Sequence, residues 1–161
     1  MSGWRDGRRP FAAIALLSLA AVAVALYTQH GLGMLPCPWC VLQRLIFVVI
    51  AIVVLPAALV PRPLVRRAGA LLAALLAAAG IAAVLYQHFV AAASASCNLT
   101  LADRIMNATG LDEALPGVFA PWASCADAAV RLFGVPYEFY SLALFALIGL
   151  ASLWLLRGRG R

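Results

Sequence analysis

Four long runs of apolar residues constrain the fold of this chain more than any other feature. Each run is close to or above the roughly 20 residues that a helix needs to cross the hydrocarbon core of a membrane. Because lipid offers the backbone no hydrogen-bond partners, a run that crosses the membrane must be helical throughout. The sequence therefore predicts an all-α membrane protein, an antiparallel four-transmembrane-helix bundle in a single domain. The predicted helices cover residues 11–29, 41–60, 66–90 and 137–156.

The composition and the first run agree with this prediction. Hydrophobic residues make up 65% of the 161 residues, whereas a soluble domain is roughly half apolar. A secretory signal peptide also places basic residues before an apolar run, but residues 11–28 are long for one and no clear cleavage site follows. We therefore expect a retained first helix, with Pro10 in its first turn.

The basic residues flank the apolar runs instead of forming one patch. All twelve are arginine, and the net charge is +6. Nine of them fall in three clusters, within residues 5–9, 62–67 and 157–161. Four crossings place these clusters on the same side, which the positive-inside rule makes the cytoplasmic side. This pattern favours membrane-flanking charge over nucleic-acid binding, and it predicts cytoplasmic termini with a short loop near 30–40 and a long loop near 91–136 facing outward.

The four cysteines lie in the two outward loops. Cys37 and Cys40 form a CxxC motif, and Cys97 and Cys125 lie far apart in the long loop. Disulfides persist in an oxidising compartment, and an even number of cysteines there is typical of disulfides. Pairing Cys37 with Cys40 and Cys97 with Cys125 is the natural arrangement, but two other pairings join the loops to each other and stay open.

The CxxC motif has two simpler interpretations, a zinc half-site and a structural disulfide. A structural zinc site normally has four Cys or His ligands, and the sequence contains no second CxxC and no HxxxH. We therefore expect redox chemistry at Cys37 and Cys40, and no metal site.

Cys40 is placed to form a stabilised thiolate. It lies at the start of the second predicted helix, where unpaired backbone N–H groups and the helix dipole favour negative charge. Arg44 follows one turn later on the same face. Arginine stays charged in proteins, and a charged side chain inside a membrane helix is a candidate for function. The alternative is that Arg44 only extends to the lipid head groups.

The electron acceptor must be consistent with the motifs that the sequence lacks. It contains no CxxCH for haem, no dinucleotide-binding glycine motif and no cysteine cluster for an iron–sulfur centre. A lipid-soluble quinone is therefore the expected acceptor, and Arg44 is a candidate to polarise one of its oxygens. His30 and His88 each end an apolar run on the outer side, so both are candidates to line the quinone site.

The long loop contains two patterns that predict short helices. Thr100 and Asp103 form a capping box, and Gly110 is placed to end the helix that follows. Ser124 and Asp127 repeat the pattern, with Gly134 as the expected stop.

Together these residues resemble the disulfide bond formation protein B family of membrane quinone-dependent disulfide oxidoreductases. The likeness covers nearly the whole chain. In the last stretch the family usually has Gly, then Pro and Trp before the fourth helix, whereas here Pro136 comes early and Tyr140 stands in place of the Trp. The features shared are the four helices, Gln29-His30 before the CxxC, Arg44 four residues after Cys40, Tyr86-Gln87-His88 at the end of helix three, the loop cysteines Cys97 and Cys125, and the spacing from Cys125 to Gly134.

The resemblance implies a protein of the bacterial inner membrane, with periplasmic loops, that reoxidises a periplasmic thioredoxin-like dithiol oxidase of the disulfide bond formation protein A type. It implies that the partner attacks Cys97 and that Cys125 then attacks Cys37. Cys40 would leave as a thiolate and, with Arg44, would pass the electrons to ubiquinone or menaquinone.

Three other functions are compatible with part of the sequence. A vitamin K epoxide reductase-like enzyme has the same chemistry, but in that family the loop cysteines precede the CxxC, which comes first here. A non-enzymatic membrane scaffold with structural disulfides predicts that Arg44 can be replaced by Leu without effect. A small transporter would need polar residues at mid-membrane, and these runs contain almost none.

Overall fold

The computed structural model describes residues 2–93 and 100–157, with side chains from residue 7 onward. Four of its helices are long and apolar enough to cross a membrane, which confirms the predicted fold class. These four helices are α1 (Ser2–Leu32), α2 (Pro38–Leu59), α3 (Pro63–Tyr86), which continues as a π-helical turn (Gln87–Ala91), and α7 (Glu138–Arg157).

The helix starts follow proline chemistry in two cases and depart from it in one. Pro38 and Pro63 are the first residues of α2 and α3, a position where the missing N–H of proline costs no hydrogen bond. Pro10 was expected in the first turn of α1, but this expectation is wrong because α1 begins at Ser2 and contains Pro10. The polar N-terminal residues extend the helix beyond the apolar run, and membrane helices tolerate an internal proline.

The membrane helices pack side by side in chain order, α1 on α2, α2 on α3, and α3 on α7. The long loop connects α3 to α7 in the chain. Small residues on α3, among them Ala73, Ala77 and Gly80, are buried, and small residues let membrane helices approach closely. The ring of Phe145 packs against Gly80 and stacks on the ring of Phe47, with centroids 4.0 Å apart. The contact between α1 and α7 is much slighter, which leaves space between them.

The long loop contains three short helices, α4 (Leu101–Thr109), α5 (Leu111–Ala114) and α6 (Pro116–Phe119). The predicted capping box is confirmed, because the Thr100 N–H donates to Asp103 Oδ2 over 2.7 Å and the Asp103 N–H donates to Thr100 Oγ1 over 3.3 Å. Gly110 ends α4 with φ of +63°, as expected.

The helix predicted after Ser124 is absent, and that prediction is wrong. Ser124 Oγ accepts a hydrogen bond from the Asp127 N–H over 3.2 Å, but the chain makes only a turn there. It continues into a hairpin in which β1 (Arg131–Leu132) pairs antiparallel with β2 (Val135–Pro136). The Tyr140 hydroxyl donates to the Leu132 carbonyl over 2.9 Å. Tertiary contacts with the start of α7 therefore override the local capping signal, and Tyr140 fastens the hairpin.

Candidate functional site

Cys37 lies between two other cysteines at the end of the bundle where the short loop meets the long loop. Its Sγ atom is 2.7 Å from Sγ of Cys40, and it packs with Cys125 in one buried cluster. Cys37 is completely buried and Cys125 is nearly so. All three are free cysteines in the structure. The geometry therefore brings one cysteine of the long loop into contact with the CxxC motif.

Backbone hydrogen bonds hold the two loops together beside these cysteines. The Trp122 and Ala123 N–H groups both donate to the Pro36 carbonyl, over 2.9 and 3.3 Å. Cys37 also caps α2, since its sulfur accepts a hydrogen bond from the Cys40 N–H over 3.3 Å. Backbone hydrogen bonds just before Cys125 and around Cys37 thus hold the two cysteines near each other. Cys97 lies outside the described residues, so its predicted role has no structural counterpart here.

The contact with Cys125 makes the two thiols unequal. Hydrogen bonding to Cys125, hydrogen bonding to Cys40 and burial together raise the pKa of the Cys37 thiol far above its ordinary value. The same hydrogen bond with Cys37 lowers the pKa of Cys125, although burial opposes it. Since the thiolate is the nucleophile in disulfide exchange, Cys125 is the member of this pair placed to attack.

A pair of buried amides reaches Cys40 from its other side. Gln87 Nε2 donates to Cys40 Sγ over 3.3 Å, and Gln43 Nε2 donates to Gln87 Oε1 over 2.6 Å. Both side chains are 4% exposed. Gln87 opens the π-helical turn, a feature that often marks functional sites. Cys40 is therefore held against an oriented hydrogen-bond donor inside the membrane-spanning bundle.

Arg44 is held inside the protein and does not extend to the head groups. Its Nη1 donates to Gln29 Oε1 over 2.9 Å and to the Val118 carbonyl of α6. The residue is 5% exposed, and its Nε finds no hydrogen-bond partner among the described residues. Within the same residues no carboxylate pairs with Arg44. A buried cation with one unused donor is thereby fixed one turn from Cys40.

A cavity of about 650 Å³ lies between α1, α2 and α7, where α1 and α7 make little contact. Most of its wall is apolar, and its polar groups include Cys40, Gln43, Arg44 and Gln87. Its volume falls within the roughly 300–1,000 Å³ of small-molecule sites. An apolar molecule with a polar head fits such a cavity, with the head beside Cys40 and Arg44.

Neither predicted histidine is among the described residues that line this cavity. His30 is exposed, and its Nε2 lies 3.0 Å from the Gly117 carbonyl oxygen. His88 Nδ1 lies 2.7 Å from Glu138 Oε1. The direct quinone contacts expected of these histidines stay predictions, and the structure gives each histidine a different partner. In the described part of the chain no group of three His, Cys, Asp or Glu residues is placed to hold a metal ion.

A comparison with known families decides the classification. The family model described as Disulfide bond formation protein DsbB matches residues 7–155. The chain belongs to the DsbB family. Proteins named Disulfide bond formation protein B are similar to it along nearly their whole length. One from Herminiimonas arsenicoxydans is 33% identical over 147 residues, covering 91% of this chain and 92% of the relative. One from Burkholderia pseudomallei is 32% identical over 163 residues, covering 98% and 94%.

Membership in the DsbB family confirms the resemblance found in the sequence. The protein is thus a multi-pass membrane protein of disulfide bond formation, with a disulfide oxidoreductase role.

The sequence analysis assigned no role to three polar residues around the DsbB-family cysteines. Gln43 and Glu138 were not singled out, and Gln87 was named only as part of the Tyr86-Gln87-His88 feature. Gln43 and Gln87 were hidden because single polar residues in an apolar run do not disturb its helical pattern. Glu138 lies at the edge of the fourth run, where a charge reads as an ordinary boundary. The one available signal was that each is a polar side chain inside a helix predicted to be surrounded by lipid, where polar groups need partners.

Proposed function

We propose that this DsbB-family protein is a quinone-dependent protein-disulfide oxidoreductase. It reoxidises a periplasmic thioredoxin-like dithiol oxidase of the disulfide bond formation protein A type and passes the electrons to ubiquinone or menaquinone. The observation that carries the proposal is the position of Cys37, which contacts Cys125 of the long loop and Cys40 at the cavity. A chain of sulfur atoms thus runs from the long loop to an apolar cavity.

The relay moves electrons inward by thiol–disulfide exchange, in which a thiolate attacks one sulfur of a disulfide. A partner thiolate attacks Cys97 of a Cys97–Cys125 disulfide, and Cys125 leaves as a thiolate. Cys125 attacks Cys37 of the Cys37–Cys40 disulfide, and Cys40 leaves as a thiolate beside the cavity. The lowered pKa of Cys125 and its contact with Cys37 support the second step.

The relay balances in atoms and electrons. The second thiol of the partner attacks its own mixed disulfide, so that the partner leaves oxidised and Cys97 is freed. Cys97 then attacks Cys125, which releases Cys37. Cys37 and Cys40 now hold the two electrons, and their disulfide re-forms when the electrons leave. A quinone bound in the cavity would accept these two electrons together with two protons.

The described residues fit a quinone. The apolar wall formed by α1, α2 and α7 suits its ring and tail, and the buried Nε of Arg44 is a donor without a partner. The Gln87 amide and Arg44 both favour negative charge on Cys40, Gln87 by direct donation and Arg44 by its permanent charge. These residues would bind and orient the quinone beside Cys40.

We place the protein in the bacterial inner membrane with both termini in the cytoplasm, because all three arginine clusters then face the cytoplasm. Reporter fusions at residues 63 and 161 should then read as cytoplasmic, and a fusion near residue 110 as external. The opposite pattern would exclude the relay, because the loop cysteines would face a reducing compartment.

The function is tested by purified protein in lipid nanodiscs with a reduced thioredoxin-like oxidase and ubiquinone. Cys37→Ser and Cys40→Ser should each abolish oxidation of the partner. Cys97→Ser and Cys125→Ser should stop turnover with the partner but leave oxidation of the CxxC pair by quinone intact. Full activity of Cys97→Ser would show that the order of the relay is wrong. Inactive wild-type protein would favour the scaffold with structural disulfides.

A further inference from the structure

Glu138 has a buried carboxyl group that the relay of cysteines does not use. It is the first residue of α7, is 6% exposed, and forms part of the cavity wall. Acidic residues inside membrane spans are costly and tend to mark proton or ion pathways. We propose that Glu138 and His88 form a proton pathway from the outer surface to the quinone cavity. This inference rests on the function proposed above.

The geometry joins a partly exposed group to a group of the cavity wall. His88 Nδ1 lies 2.7 Å from Glu138 Oε1, and the two side chains are 31% and 7% exposed. His88 is therefore open to the surface near the outer end of α3, while Glu138 lines the cavity. The ring of His88 also packs on Phe139, with centroids 4.8 Å apart. The pair thus connects the outer end of the bundle with the cavity.

The π-helical turn separates the two functions of this segment. Gln87 and His88 are neighbours in the chain, but Gln87 donates to Cys40 while His88 contacts Glu138 on α7. Electrons would therefore reach the cavity from Cys40, beside Gln87, and protons from Glu138, beside His88.

The reaction needs such a pathway because its electrons and protons travel separately. Reduction of a quinone takes two electrons and two protons. The relay releases Cys40 as a thiolate, which carries no proton, and the one proton that Cys37 takes up on its release is given up again when the disulfide re-forms. The protons of the partner dithiol are released at the outer surface. The pathway returns two protons per quinone, so that the overall reaction transfers two electrons and two protons from the dithiol.

The other acidic or cationic groups of the cavity wall are poorer proton donors. Arg44 retains its proton at any physiological pH. The Tyr137 hydroxyl shares a hydrogen bond of 3.0 Å with Thr28 Oγ1, and the Tyr140 hydroxyl donates to a backbone carbonyl. Tyrosine is also a much weaker acid than a carboxyl group. Among the described residues of the wall, Glu138 is therefore the best proton donor, and it gives the proton from a carboxyl oxygen.

The chain's own proton movements then follow from the contact. Glu138 gives a proton to the quinone oxygen and becomes a carboxylate. Water protonates His88 at Nε2, and the imidazolium passes its Nδ1 proton to Glu138 Oε1. The neutral ring then carries its proton on Nε2, and it loses this proton to water and regains one at Nδ1 before it moves the second proton. The alternative is a structural ion pair that only fastens α7 to the end of α3.

Glu138→Gln separates the two roles, because an amide keeps a hydrogen bond to His88 but cannot carry a proton. The rate of quinone reduction by the Cys37–Cys40 dithiol is measured in a single turnover by stopped-flow absorbance. We expect about a 100-fold decrease in Glu138→Gln, since general acid catalysis typically contributes about 10²–10⁴-fold. Quinone affinity should stay close to that of the wild type, because the amide keeps the size and the polar contact of the side chain. Glu138→Asp, which keeps the carboxyl group, should retain much of the rate. The exposed loop residue Glu113 offers the matched control Glu113→Gln, which should react like the wild type.

Infrared difference spectroscopy gives a readout that a structural ion pair would not move. A carboxyl band should change on reduction in the wild type and in Glu113→Gln, and should be absent in Glu138→Gln. His88→Gln should slow the reaction, and added imidazole should restore it. An unchanged rate in Glu138→Gln would overturn the pathway. A slower rate that is fully explained by weaker quinone binding and a less stable protein would also overturn it. Wild-type protein that reduces no quinone would overturn the proposed function itself.

Discussion

Replacing Gln87 by Leu tests whether an uncharged donor helps to hold Cys40 as a thiolate. Gln87 Nε2 donates to Cys40 Sγ over 3.3 Å, and the Gln87 residue is only 4% exposed. A hydrogen bond to a charged group contributes about 1.5–3 kcal/mol. Because 1.36 kcal/mol corresponds to a factor of ten, Gln87→Leu should reduce the equilibrium constant for thiolate formation by about 10- to 100-fold.

Gln43 provides a graded comparison. Its Nε2 donates to Gln87 Oε1 over 2.6 Å and does not itself contact Cys40. Gln43→Leu removes only the hydrogen bond that orients Gln87, which is worth about 0.5–1.5 kcal/mol for neutral groups. The effect of Gln43→Leu on thiolate formation should therefore be about two- to tenfold.

The assay uses protein in which the other three cysteines are serine, so that Cys40 is the sole thiol. The thiolate fraction is followed by ultraviolet absorbance against pH, and the alkylation rate of Cys40 provides a second measure. Thermal unfolding of each variant checks that the bundle is intact. Equal thiolate fractions in the wild type, Gln43→Leu and Gln87→Leu would refute the role given to the amide pair.

Two further predictions concern the cation and the packing of the bundle. Arg44→Leu should fold at least as well as the wild type, because a buried charge is removed, but its apparent Michaelis constant for quinone should rise at least about tenfold, as expected for a charge-assisted contact. Arg44→Lys should be intermediate, since Lys keeps the charge but not the planar fork; an unchanged constant in both variants would leave Arg44 a purely structural role. Gly80→Ala should destabilise the bundle by about 1–3 kcal/mol, because its Cβ would lie 2.5 Å from the buried ring of Phe145. Gly149→Ala is the matched control, since its Cβ would meet its nearest neighbour at 3.5 Å, and equal thermal unfolding of the two variants would contradict the packing described.

The sequence was sufficient for the helices because their signal is physical and local. An apolar run in a membrane has one solution for its backbone hydrogen bonds, so four runs predicted four helices. The capping box at Thr100 was also predictable, since its hydrogen bonds join residues three apart. The same pattern at Ser124 failed because contacts between the hairpin and α7 decide the conformation there.

The position of Arg44 relative to Cys40 was the part of the site that the sequence could predict. The spacing of Cys40 and Arg44 placed them on one face of a helix, and both line the cavity, with Cys37 beside Cys40. The contact of Cys125 with Cys37 was implied by the family resemblance alone, because it depends on how one loop lies on the other.

The partners of His88 and Gln87 depend on features that have no sequence signal. The π-helical turn sets the directions of the two side chains, and the rotation of α7 about its axis brings Glu138 to His88. Neither the presence of the π-helical turn nor the rotation of α7 follows from composition or periodicity. His88, which the sequence predicts to line the quinone site, contacts Glu138 of the cavity wall.

The most direct test of the relay counts electrons in the absence of oxygen. Limiting amounts of reduced thioredoxin-like oxidase are added to the protein with excess ubiquinone, and quinol is measured by ultraviolet absorbance while disulfide is measured by thiol labelling. Forming one disulfide releases two electrons, and reducing one quinone to quinol takes up two. The account therefore predicts one quinol for every disulfide formed, and neither product with Cys40→Ser. Disulfide formed while the quinone stays oxidised would contradict the account, because the electrons would then leave by a route that avoids Cys40 and the cavity.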